Sequence, residues 1–356
     1  MKKTLNKTKI ADFATYIGVV IAFIVMNALM NEGLLTRSMK GQLVPICCYI
    51  VMAVSLNLTV GILGELSLGH AGFMSVGAFT GVVTAMSLQS AIPSDGVRLA
   101  LAIVMGAIFA GIAGTLVGIP VLRLHGDYLA IVTLAFGEII KELINCLIIG
   151  HDENGLHIIF NATGAKTVTD LGLTETGKVL IKGAQGATGT DTIASFTAGF
   201  ILIMVTLVVV LNLARSRSGR AIMALRDNRI AAESVGINVT KYKLMAFVTS
   251  AALAGGAGAL YGLNFSTVAA SKFKFDTSIL VLVFVVLGGI GSIRGSIIAA
   301  TLLTMLPEAL RGFADYRMLI YAIVLIVVML ATNSPQMKAL LSKLVPFGKK
   351  GEKEHA

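Results

Sequence analysis

Tryptophan is absent from the 356 residues and charged side chains make up only 13% of them, about half the share found in a soluble globular chain. A water-facing surface is built from charge, so this scarcity excludes an ordinary soluble enzyme. The charges that do occur are bunched, with long uncharged stretches between them, and a bilayer is the solvent that suits such a pattern. Cysteine is nearly missing as well. Cys47, Cys48 and Cys146 all lie in apolar runs, without metal-ligand spacing or an extracellular pair to bridge, and are read as packing residues. The five histidines are scattered, so no metal site is expected. No G-x-x-x-x-G-K-[ST] phosphate loop occurs anywhere, and no nucleophile is set beside an acid or base, so nothing argues for catalysis. The net charge of +10 could suggest nucleic acid, but a binder carries its basic residues as a stripe on a polar domain. Here they sit between apolar segments, and no nucleic-acid partner is expected.

What the chain has in plenty is apolar length. Uncharged stretches near the roughly 20 residues that cross a bilayer as a helix cover 13–31, 41–64, 66–94, 99–122, 192–214, 244–271, 277–293 and 318–337. Two weaker stretches complete ten: 128–150, apolar apart from Glu138, Lys141 and Glu142, and the short 295–306 before Pro307. The first stretch reads as a span rather than a cleaved signal peptide, because no small-residue cleavage site follows it. The expected fold class is therefore all-α and polytopic, with about ten transmembrane helices. Basic residues concentrate in 2–9, 215–243 and 338–353, which the positive-inside rule assigns to the cytoplasm. Ten spans also put both termini and the 215–243 loop on one side. The expected organisation is a cytoplasmic tail at 1–12, five helices over 13–150, and an external loop at 151–191. A sixth helix at 192–214, the cytoplasmic loop at 215–243, four helices over 244–337 and a basic cytoplasmic tail at 338–356 follow. The external loop is polar and rich in Gly and Thr, suited to a small lid or a partner contact.

Glycines interrupt apolar segments in both halves: Gly61, Gly64, Gly69, Gly72 and Gly77 in the first, Gly288, Gly289, Gly291 and Gly295 in the second. Two readings stand side by side. Paired glycine-broken helices surround the central pathway of inverted-repeat transporters, and small residues also let helices pack closely.

A second set of residues is polar at membrane depth: Glu65, Ser67, Gly69, His70, Asp127, Tyr128, Glu138, Lys141 and Glu142. Ionisable groups there are costly and face a cavity or one another. Glu138, Lys141 and Glu142 share one helix face at i, i+3 and i, i+4 spacing, as a pathway or as an internal ion pair. His70 reads as a satisfied packing residue, and Glu65 and Asp127 as markers of span ends.

The 215–243 loop is the most informative segment. Asn228 can cap a helix over 229–235, Gly236 stands where a left-handed residue ends it, and Ile237 is available for the apolar contact that follows. Upstream, Ile222 and Leu225 share a face at i, i+3. A helix of about two turns is marginal alone in water and expects a partner surface.

Four segments in order give the chain a family likeness over about 56–330: GILGELSLGHAGF from Gly61, LRLHGDYLAIVTLAFGEII from Leu122, the 215–243 loop, and LGGIGSIRGS from Leu287. In these it resembles the LivM-type permease of branched-chain amino acid ABC importers. The resemblance implies that the loop corresponds to the E-A-A-x-x-x-G motif by which a membrane subunit docks on its ATPase. Ala231, Ala232 and Gly236 match it; Ile230 stands in place of Glu, with Glu233 one turn away. Arg220, Arg226, Asp227 and Asn228 complete the implied docking set. Further implications are a homologous second permease subunit, two ATPase subunits that hold ATP, an extracytoplasmic amino acid binding protein, and a bacterial cytoplasmic membrane location. This chain itself would bind no cofactor. The rival expectations are an ABC permease for urea or another small solute, and a proton- or sodium-coupled secondary transporter.

Overall fold

A computed structural model describes residues 2–33, 36–122, 124, 126–152, 155–161, 168–173, 177–310, 319, 322, 323 and 326. The chain divides into two units, Met1–Thr301 and Leu302–Ala356, and the architecture below is that of the first, apart from the end of the last helix.

Helix α1 (Lys2–Asn31) is followed by α2 (Arg37–Asn57), which runs into a π-helix at Leu58–Leu63. Gly64 stops that turn with a φ of +81°, a left-handed conformation that costs glycine little. The chain then crosses a short non-helical stretch and enters α3 (His70–Ser87), α4 (Asp95–Val121) and α5 (Asp127–Asn145). After the sheet come α6 (Phe196–Arg215), α7 (Arg217–Asp227), α8 (Arg229–Ser234), α9 (Val239–Gly262), α10 (Phe275–Gly288) and α11 (Ile293–Ala309).

Helix α9 is the centre of the bundle, packed against α2, α3 and α4. Small residues make this possible. A Cβ at Gly258 would lie 1.9 Å from the Met74 carbonyl oxygen, and one at Gly77 would lie 2.0 Å from that of Gly255, so backbones touch where side chains would intervene. The outer helices show apolar faces: Phe13 is 66% exposed and Leu116 on α4 is 69% exposed, as expected of surfaces that face lipid. On α1, Phe23 stacks on Phe200 of α6 at 4.1 Å.

Among the described residues five segments are long and apolar enough to cross a bilayer, Phe13–Asn31, Arg37–Leu63, Asp95–Val121, Phe196–Arg215 and Val239–Gly262, so the expected count of ten is not confirmed. Helix α10 has 14 residues, about 21 Å against a hydrocarbon core of about 30 Å. The 66–94 stretch becomes helical only at His70 and stops at Ser87, because the Gly64 break unwinds its start. The 244–271 stretch ends as a helix at Gly262. Of 318–337 and the 338–356 tail, nearly all lies outside the described residues.

The 151–191 region, expected as a loop, contributes to a five-stranded antiparallel sheet. Strands β1 (Leu147–Asp152), β2 (Gly155–Phe160), β3 (Lys178–Lys182), β4 (Ala187–Thr188) and β5 (Thr267–Val268) lie in the order β2-β1-β3-β4-β5. Ile149 stands opposite both Ile158 and Ile181, and Ala187 opposite Val268. The sheet begins before the fifth apolar stretch is over, since helix α5 ends at Asn145, and it fastens this region to the connection between α9 and α10.

Candidate functional site

The loop after α6 is built from three capped helices. Ser216 accepts a hydrogen bond from the Gly219 N–H (3.0 Å), Asn228 from Ala231 (3.0 Å) and Asn238 from Lys241 (3.0 Å), so each helix start has a side-chain acceptor for a free backbone donor. Gly236, at φ +83°, closes α8: its N–H donates to the Glu233 carbonyl (3.0 Å) and that of Ile237 to the Ala232 carbonyl (3.1 Å). That is the double hydrogen bond of a left-handed helix stop, as the sequence pattern predicts. Leu225, Ala232 and Val239 are buried together, with Ile237 and Tyr242 against them. The loop thus has a small core of its own, and Ala232 is part of it rather than of the outer surface. What faces outward is Ile230 (81% exposed) and Val235 (75%), with Ala231 and Glu233 beside them. Arg220 reaches back to the Arg215 carbonyl at 3.3 Å.

Arg226, itself 43% exposed, also reaches the helix break. Its Nη1 donates to the Gly61 carbonyl at 2.8 Å, while Nε and Nη2 donate to Asp227. A Cβ at Gly64 would lie 2.4 Å from Arg226 Cγ. Next in the chain, Glu65 forms an ion pair with Lys243 of α9, the two side chains being 14% and 4% exposed. Lys243 was legible only as the last basic residue of the loop; its burial depends on a partner 178 positions away.

The glycine breaks of the two halves meet here. The Gly291 N–H donates to Asn57 Oδ1 (2.8 Å) and Asn57 Nδ2 donates to Ser296 (3.0 Å). A Cβ at Gly61 would lie 2.4 Å from the Gly291 nitrogen. Gly288 crosses Gly295 so closely that a Cβ on Gly295 would fall 1.6 Å from the Gly288 carbonyl oxygen, and Gly289 is at φ +93°. The glycines thus both break helices, at Gly64 and Gly289, and let the broken ends touch.

The remaining polar residues fall into separate groups. The Ser67 hydroxyl is buried with no hydrogen-bond partner among the described residues, and Gly69 approaches the Thr133 carbonyl so closely that a Cβ would lie 2.1 Å away. His70 is 2% exposed and its Nε2 lies 2.8 Å from the Ser55 hydroxyl, the satisfied packing position expected of it. Glu138 and Glu142 pair with Lys141, and Glu138 also accepts from the Phe275 N–H at 3.1 Å, capping the start of α10. Glu138 is 37% exposed and Glu142 64%, while the Lys141 they share is 14% exposed. Tyr128 is 72% exposed, and the Asp127 side chain lies outside the described residues. Among the described residues no cluster of His, Cys, Asp and Glu could hold a metal.

Apolar helices, helices broken at glycine and a capped polar loop fastened to the break define a polytopic α-helical membrane protein. A family model described as the permease component of the branched-chain amino acid transport system matches residues 38–330, and the chain belongs to that family. It is 35% identical over 292 residues to the high-affinity branched-chain amino acid transport system permease protein LivM of Escherichia coli and equally to that of Salmonella typhimurium, covering 79% of this chain and 66% of each relative. The chain thus spans just under two thirds of those relatives. The ribose import permease protein RbsC of Haemophilus influenzae is 32% identical over 123 residues, 32% of this chain and 38% of that one.

Proposed function

We propose that the chain is the membrane-spanning subunit of an ATP-binding cassette importer for branched-chain amino acids, taking its energy from ATPase subunits on other polypeptides. The observation that carries this reading is the 215–243 loop. It has a folded core, a short capped helix with exposed Ile230 and Val235, and a hydrogen bond from Arg226 to the helix break at Gly61. A loop that only set topology would need none of these. Exposed apolar side chains on a six-residue helix find their natural cover on a partner, here an ATPase surface that closes on ATP. The family likeness supports leucine, isoleucine and valine as cargo, a homologous second permease subunit, and delivery by an extracytoplasmic binding protein. The membrane is the bacterial cytoplasmic membrane, with both termini and the 215–243 loop inside. Alternating access would then follow from movement of the loop against the glycine junction.

The test is reconstitution. Proteoliposomes holding this chain with its companion permease, ATPases and binding protein are expected to accumulate labelled leucine only when ATP is inside the compartment bearing the ATPases. Uptake is expected to survive a protonophore at constant ATP. Uptake by this chain alone, driven by an ion gradient, would overturn the reading in favour of a secondary transporter, and urea or ribose displacing leucine would reassign the cargo.

A further inference from the structure

We propose that Arg226 and Lys243 form a two-point latch that fastens the 215–243 loop to the helix break at 61–65, making them the positioning residues through which loop movement reaches the glycine junction. The inference rests on the permease reading and adds how its two working parts are joined.

The last carbonyls of a helix lack intrahelical partners and carry partial negative charge. The Gly61 carbonyl, in the final turn of the π-helix, is such a group, and the Arg226 guanidinium satisfies it at 2.8 Å. The approach requires glycine at position 64, because a Cβ there would occupy the place of the arginine stem, 2.4 Å from Cγ. Four residues after Gly61, Glu65 pairs with Lys243 in a site where the lysine is 4% exposed. An ion pair buried to that depth resists separation, since either charge alone would be stranded in a poor solvent. One grip therefore comes from the end of α7 and the other from the start of α9, on either side of the outward-facing α8. Gly61 packs against Gly291, and the Asn57 side chain at this contact accepts the Gly291 N–H at 2.8 Å. A displacement of the loop has no slack to absorb it before it reaches both halves of the chain. Arg226, expected from the sequence in the docking set, is thereby assigned to transmission.

The latch predicts uncoupling rather than loss of docking. In the reconstituted importer the quantity to measure is leucine taken up per ATP hydrolysed. With Arg226→Met, ATPase subunits are expected to co-purify and hydrolysis to continue, while leucine per ATP falls about tenfold, a coupling loss within the usual range. Arg226→Lys keeps a donor and is expected to recover part of the ratio. Gly64→Ala attacks the same contact from the membrane side and is expected to uncouple as Arg226→Met does; it also serves as the deciding variant if Arg226→Met fails to accumulate. An unchanged ratio in Arg226→Met or in Gly64→Ala would overturn the latch, as would loss of ATPase co-purification confined to Arg226→Met, which would make Arg226 a docking contact. Absence of ATP-driven uptake in the unaltered importer would be a different failure, that of the permease reading itself, seen before any variant is compared.

Discussion

Two ion pairs with the same chemistry differ in their surroundings, and the difference decides which one matters to stability. Glu138 and Lys141 stand out in the sequence because they interrupt an apolar stretch at helical spacing, yet Glu138 is 37% exposed and shares the lysine with Glu142. Glu142 still pairs with Lys141 when Glu138 is lost, so that change strands no lone charge. Glu65 and Lys243 are 14% and 4% exposed, and breaking a buried pair by removing one partner costs about 3–5 kcal/mol. The expected outcome is that Glu65→Gln and Lys243→Met each lower the yield of folded protein in detergent, and that the double variant regains much of it. Glu138→Gln is expected to cost far less. Thermal denaturation of the purified variants checks the order, and equal losses at both sites would contradict it. The deeper pair was half legible in the sequence: Glu65 stands out beside a glycine break, but its partner belongs to another helix and no local spacing announces it.

At the scale of elements, features that depend on neighbouring residues are legible in the sequence. Helix α8 and its stop depend on Asn228, Gly236 and Ile237, all within ten residues, and the structure places each in its expected role. Where an element depends on distant pairing, apolar content misleads. Strand β5 lies in what reads as the end of a span and is a strand because Val268 pairs with Ala187. Strand β1 extends the fifth apolar stretch because Ile148 and Ile149 face β2 and β3. The glycine-rich segments showed that helices would break or pack closely; that Gly61 would meet Gly291 is a property of the assembled bundle. Helix α8 also supports a prediction. Gly236 has open space around its Cα but a φ of +83°, so an alanine there costs about 1–2 kcal/mol and valine more. Ala232 is enclosed with Leu225 and Val239, so tryptophan overpacks the loop's own core. Membrane insertion is expected to persist in Gly236→Val and Ala232→Trp, while ATPase co-purification falls, more steeply than in Gly236→Ala. Full co-purification in all three would show that the folded loop is not what the ATPase holds.

For the whole molecule, the permease reading sets the sheet and the 215–243 loop on opposite sides of the membrane. In a background lacking Cys47, Cys48 and Cys146, an impermeant thiol reagent added to intact cells is expected to label Lys178→Cys on β3 and to leave Ile230→Cys unlabelled until the membrane is opened. Labelling of both from outside would contradict that arrangement. The central place of α9 carries a consequence for the birth of the protein. Helix α3 finds its partners at Gly255 and Gly258, and the helix that bears them ends at Gly262, 175 residues beyond Ser87. At the usual pace of synthesis of about 5–20 residues per second, α3 waits roughly ten to thirty seconds for that surface to leave the ribosome. Throughout that interval a glycine-rich helix has no permanent neighbour on that face, so the newborn chain is expected to need a temporary host in the membrane before it can become its own.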